Sequence, residues 1–109
     1  MTVEVLYFEG CPNHQPAVER VQTVLREEGI SSRISQVEVP DSETAKRLRF
    51  LGSPSIRVNG VDVEPSTVQS EAFGLMCRTY QDGSCRSGVP SPEVIRQAIR
   101  FQTARKQHA

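Results

Sequence analysis

Three thiols, and an imidazole beside one of them, are the groups in this sequence with chemistry to offer. Cys11 opens the run Cys11-Pro12-Asn13-His14, directly after the apolar stretch Val3-Glu4-Val5-Leu6-Tyr7-Phe8; Cys77 and Cys85 come much later. The apolar stretch reads as a buried strand, and the residues from Pro12 to about Gly29 as an amphipathic helix. A cysteine at a strand-to-helix turn lies near unpaired backbone N–H groups and the positive end of a helix dipole, a setting that favours the thiolate. That thiolate is the nucleophile of disulfide exchange and a ligand for soft metals. His14 is placed to hydrogen-bond the sulfur or lend it positive charge; the competing reading is a solvated histidine without a role. A Cys-x-x-His run cannot close a disulfide within itself as Cys-x-x-Cys does. The second thiol then comes from a small thiol, a partner protein or elsewhere in the chain.

The elements that must position Cys11 follow in order. The strand over residues 3–8 has few polar interruptions and belongs in the middle of a sheet. Ala17, Val18, Val21, Val24 and Leu25 recur at helical spacing on the first helix, and Gly29 stops it. Pro16 requires either a kinked first turn or a regular helix beginning nearer Gln15. Residues 32–39 read as a second strand. A short helix begins at Pro40-Asp41-Ser42, capped by Asp41 or Ser42, with Ala45, Leu48 and Leu51 inward and Gly52 at its end. Asn59-Gly60 between the β-branched runs of residues 55–64 is a strong hairpin signal. Residues 65–76 lack a clear period, and Asp82-Gly83 marks a second turn. Ser91-Pro92-Glu93 starts a last helix with Val94, Ile95, Ala98, Ile99 and Phe101 as its apolar stripe. Its basic residues Arg96, Arg100, Arg105 and Lys106 read as a solvated face.

Composition narrows the function classes. The chain has 109 residues and reads as one domain over 1–109, with a polar tail from about residue 105. Thirteen basic residues balance thirteen acidic ones, which gives no electrostatic reason to expect nucleic acid or an anionic membrane as partner. The longest apolar run is too short to span a bilayer, and Glu4 and Glu9 interrupt what a signal peptide would need, so a cytoplasmic location is expected. Three cysteines are not the even, dense framework of a small secreted fold.

The order strand, helix, strand, helix, strand-hairpin-strand, helix is that of a thioredoxin-like α/β fold: a central mixed four-stranded sheet flanked by helices. Two motifs carry the resemblance to that superfamily. Cys11-Pro12-Asn13-His14 stands where its Cys-x-x-Cys motif stands, and Gly52-Ser53-Pro54-Ser55 resembles its turn with a cis proline beside the reactive thiol. Phe8-Glu9-Gly10-Cys11-Pro12-Asn13, Gly74-Leu75-Met76-Cys77-Arg78-Thr79-Tyr80 and Gly88-Val89-Pro90 are similar to small bacterial thioredoxin family proteins often labelled alkylmercury lyase. The resemblance implies Cys11, His14 and Cys77 as catalytic residues, with Pro12, Asn13, Ser53 and Pro54 binding substrate. It makes Cys77 the internal candidate for the resolving thiol. Cys85 lies across the Asp82-Gly83 turn; it is either a neighbour of Cys77 on paired strands or an incidental thiol.

The leading expectation is a thiol–disulfide oxidoreductase-like protein. It would act on a disulfide or thiol substrate and be recycled by a small thiol or a protein reductant. No resident cofactor or metal is expected: Cys11, His14, Cys77 and Cys85 are zinc-type ligands, but Cys-x7-Cys is looser than structural zinc spacing. One alternative is binding or processing of a thiophilic metal, mercury, for which the two thiolates of Cys11 and Cys77 would suffice. Another is a non-catalytic binding module that uses the cis-proline surface.

Overall fold

The computed structural model describes residues 1–64, 73–76, 78–82 and 85–107, with the side chains of 81, 82, 85–87 and 105–107 excepted. Its elements are β1 (Val3–Tyr7), α1 (His14–Glu27), β2 (Ile34–Glu38), α2 (Ser42–Arg47), β3 (Ser55–Val58), β4 (Val61–Asp62), β5 (Tyr80–Asp82), β6 (Cys85–Ser87) and α3 (Pro92–Gln107). Four strands form one mixed sheet in the order β2-β1-β3-β4. β1 is central, parallel to β2 and antiparallel to β3, and β3 turns antiparallel into β4. This is the thioredoxin-like arrangement that the order of elements implies.

Strand alternation divides the core. Val3 and Val5 point to one face, where α1 and α3 cover them with Val21, Val24, Ile95 and Ile99. Leu6 points to the other, against Val39, Ala45 and Phe50 around α2. The buried residues of α1 are Ala17, Val18, Val21, Val24 and Leu25, as their spacing requires. Asn59 and Gly60 both take positive φ, 53° and 81°, the pair that a two-residue type I′ hairpin demands.

Of the two readings of Pro16 the second holds: regular α1 begins at His14, next to Gln15, and Pro16 is its third residue; the N–H that proline lacks is one of those with no partner inside a helix, so no kink is needed. Other local expectations change. α2 ends at Arg47 instead of running to Gly52. Arg49 there adopts φ 55°, Phe50 N–H donates to Ala45 O (2.8 Å), and Arg49 N–H donates to Lys46 O (3.2 Å). This closes a helix terminus usually finished by glycine. The Arg57 guanidinium donates to the Leu48 and Arg49 carbonyls at 2.6 and 2.9 Å, which satisfies that terminus further. β4 stops at Asp62, short of Glu64.

Phe101 is 61% exposed, because the inward face of α3 runs Ile95, Ile99, Gln102 and places Phe101 about 240° round the helix from Ile95. Arg96 and Arg100 do not simply face solvent; they pair with Glu27 and Glu28 at the end of α1. Cys85 stands opposite Asp82 in the β5–β6 ladder; Cys77, its possible neighbour, lies outside the described residues.

Candidate functional site

Cys11 lies just past the carboxyl end of β1. Gly10, at φ 86°, turns the chain there. Cys11 N–H donates to Phe8 O and His14 N–H donates to Cys11 O, both at 3.3 Å, so the turn hands β1 directly to α1. The Cys11 thiol is free and half-buried. Pro12 is exposed. Asn13, the residue preceding α1, makes no side-chain capping bond. Its amide instead lies against Gly88, so closely that a Cβ at position 88 would collide with it. The loop into α3 thus braces the thiol turn from outside the sheet.

His14 is the first residue of α1. Its ring stacks on Tyr7, centroids 3.6 Å apart and planes within 7°, and its Nε2 lies 2.7 Å from Gln36 Oε1. Tyr7 and Gln36 come from the neighbouring strands β1 and β2, and neither contact has a local signal in the sequence. With Cys11, His14 shares the main-chain bond of the turn.

The Ser53–Pro54 peptide is cis, and both residues are buried. Leu6 opposes Ser55, which brings the turn before β3 alongside the end of β1. Phe8 N–H donates to Ser53 Oγ at 3.4 Å. The main chain of Ser53 is engaged on its other side: Ser53 N–H donates to Met76 O (2.8 Å) and Arg78 N–H donates to Ser53 O (3.0 Å). The main chain of Ser53, a residue expected to bind substrate, is therefore already paired within the chain. Cys77 lies outside the described residues, but Met76 and Arg78 are its neighbours in sequence.

Arg78, which composition and spacing did not single out, ties this region together. It is 7% exposed. Nη1 and Nη2 donate to the two Asp62 carboxylate oxygens at 2.6 and 2.8 Å, with Glu64 at 3.2 Å and Ser55 Oγ at 3.1 Å. The guanidinium lies 4.5 Å from the ring centre of Tyr80, whose hydroxyl donates to Pro54 O at 2.5 Å. Burial works against the Arg78 charge, but the hydrogen bond to Asp62 and the neighbouring acids outweigh it and hold the group firmly protonated. Burial pushes the Tyr80 phenol far above its ordinary range. The available signal for this network was Asp62 and Glu64 at alternate positions, on one side of an extended chain.

Among the described residues, no group of three His, Cys, Asp or Glu side chains is arranged to hold a metal ion. None of the described helices is long and apolar enough to cross a membrane. A family model with the description Domain of unknown function (DUF2703) matches residues 12–99. No curated protein and no solved structure gives a significant match to the chain.

Proposed function

The chain belongs to the DUF2703 family, and from its thioredoxin-like topology and the position of its free thiol we propose that it exchanges thiols and disulfides through Cys11. The Cys11 thiolate attacks one sulfur of a substrate disulfide, forms a mixed disulfide and releases the other sulfur as a thiolate. A second thiolate, assigned to Cys77, then attacks Cys11 Sγ. This releases the remaining substrate thiol and leaves a Cys11–Cys77 disulfide. Two electrons have passed to the substrate, and an external small thiol or protein dithiol returns them. His14 assists by holding positive charge or a proton near the turn.

One observation carries the reading. Ser53 is bonded on one side to Phe8, the residue that accepts from Cys11, and on the other to both sequence neighbours of Cys77. Binding of a thiophilic metal would use the same two thiols, so both readings are tested together. Treating the reduced protein with a disulfide substrate, followed by mass spectrometry of its peptides, is expected to give a Cys11–Cys77 bridge and release of the substrate's two thiols. Cys11→Ser should abolish both, and Cys77→Ser should trap the mixed disulfide on Cys11. Exchange that persists in Cys11→Ser overturns the proposal. Stoichiometric mercury capture by both thiols, without disulfide turnover, replaces it by the metal reading.

A further inference from the structure

We infer that the substrate of Cys11 is a small-molecule disulfide and not a disulfide within an extended polypeptide, an inference that rests on the thiol chemistry proposed above. A protein that reads an extended peptide beside a sheet does so with unpaired main-chain groups on a strand edge. The edge nearest the Cys11 turn is the stretch leading into β3. β4 pairs with β3 opposite Arg57 and Val58, and just beyond it Val63 N–H donates to Ile56 O at 3.1 Å, so the hairpin reaches back along β3 to Ile56. Ser53 is where a peptide strand would pair.

That position is filled from within. Both main-chain groups of Ser53 are spent on Met76 and Arg78, and Ser53 has no exposed surface. The inner segment sits so close that a Cβ on Gly52 would meet Arg78 Cβ at 3.0 Å and Met76 O at 3.1 Å. It is also anchored: to peel it away, Arg78 would have to leave Asp62, Glu64, Ser55 and the face of Tyr80, and a carboxylate in a site of low exposure would lose its cation. What remains is Cys11, a half-buried residue next in sequence to the exposed Pro12. A compact disulfide can reach it without main-chain pairing.

The test compares two substrates with the same leaving thiol. One is a mixed disulfide of free cysteine; the other places that disulfide in the middle of an unstructured peptide with several residues on each side. The rate constants for the reduced protein are expected to agree within less than about tenfold. Peptide flanks that raise the rate by about tenfold or more overturn the inference and leave the thiol chemistry standing. A Cys11 inert toward both substrates sinks the thiol reading and this inference with it. Amide hydrogen exchange gives a readout that needs no chemistry. The Ser53 and Arg78 amides should be protected in the intact protein and unmoved by saturating peptide; fast exchange there, or protection that changes with peptide, shows the edge open and overturns the inference.

Discussion

The ring of His14 is fixed in two ways: Tyr7 sets its plane, and Gln36 Oε1, 2.7 Å from Nε2, holds its edge. A group held in that manner loses little freedom when it acts on a neighbour. Gln36 is exposed on an edge strand, so Gln36→Leu should change stability by no more than about 0.5 kcal/mol. If His14 serves Cys11, the pH–rate profile of Cys11 alkylation shifts in Gln36→Leu in the same direction as in His14→Ala. Superimposable profiles in the wild type and both variants would remove His14 from the mechanism. Tyr80 gives a second prediction at this scale. Its phenol is raised by burial, with Arg78 opposing and Asp62 and Glu64 adding to the rise. Below about pH 10, the ordinary phenol value, both folded and unfolded chains hold it neutral and its contribution is whole. Above that, the unfolded chain ionises and the folded one does not, so stability falls by up to about 1.4 kcal/mol per pH unit. Tyr80→Phe should lack this alkaline component. At neutral pH it should cost about 1–2 kcal/mol, because the Pro54 carbonyl loses its donor. Urea unfolding at neutral and alkaline pH measures both effects.

Elements were legible where the signal is local. The apolar run of β1, the stripe of α1, the Asn59-Gly60 turn and the Ser91 start of α3 each depend on residues a few positions apart. The end of α2 was not, because Arg49 takes a left-handed conformation that glycine marks in most helices; its side chain, 4.9 Å from the Phe73 ring centre, and the guanidinium of Arg57 compensate. Phe101 belonged by spacing to the stripe of α3, but the buried face of that helix runs through Ile95, Ile99 and Gln102, and Phe101 stands away from it. The brace between Gly88 and Asn13 joins residues far apart in sequence, and only the fold discloses it. It makes a testable element-level link between the loop before α3 and the thiol turn. Gly88→Ala drives a methyl into the Asn13 amide, so it should alter the Cys11 alkylation rate while α3 stays folded by circular dichroism. Adding Asn13→Ala removes the obstacle and should restore stability, with a coupling of about 1 kcal/mol or more between the two sites. Strict additivity would mean that the turn and the loop do not press on each other.

Across the whole molecule, three separate segments converge on one end of the sheet: the exit of β1 with Cys11, the cis-proline turn before β3, and the stretch around Met76 and Arg78. The first two were visible as motifs, since each is a short run with an unusual residue. The convergence of the third was not, because Arg78 meets Asp62 from 16 positions away in sequence, and no local period encodes a pairing of that range. Arg78 is the joint that makes the arrangement one body. Its fork lies on both oxygens of Asp62, its main chain on Ser53, and its face on Tyr80, which in turn holds Pro54. A bidentate pair with side-chain exposures of 6% and 10% is not an ordinary surface ion pair. Removing one partner leaves the other desolvated and uncompensated, so Arg78→Ala should destabilise the fold by about 3–5 kcal/mol. Asp62→Asn should cost less, since the amide oxygen can still accept from Glu64 N–H, a bond of 2.9 Å to this side chain. In Arg78→Met with Asp62→Asn, most of the charge imbalance is gone, and part of the loss should return. Chemical denaturation of the four proteins decides the matter. A cost for Arg78→Ala within about 1 kcal/mol, the range of exposed pairs, would show that the segment is held by its main chain alone and that Arg78 is not the joint.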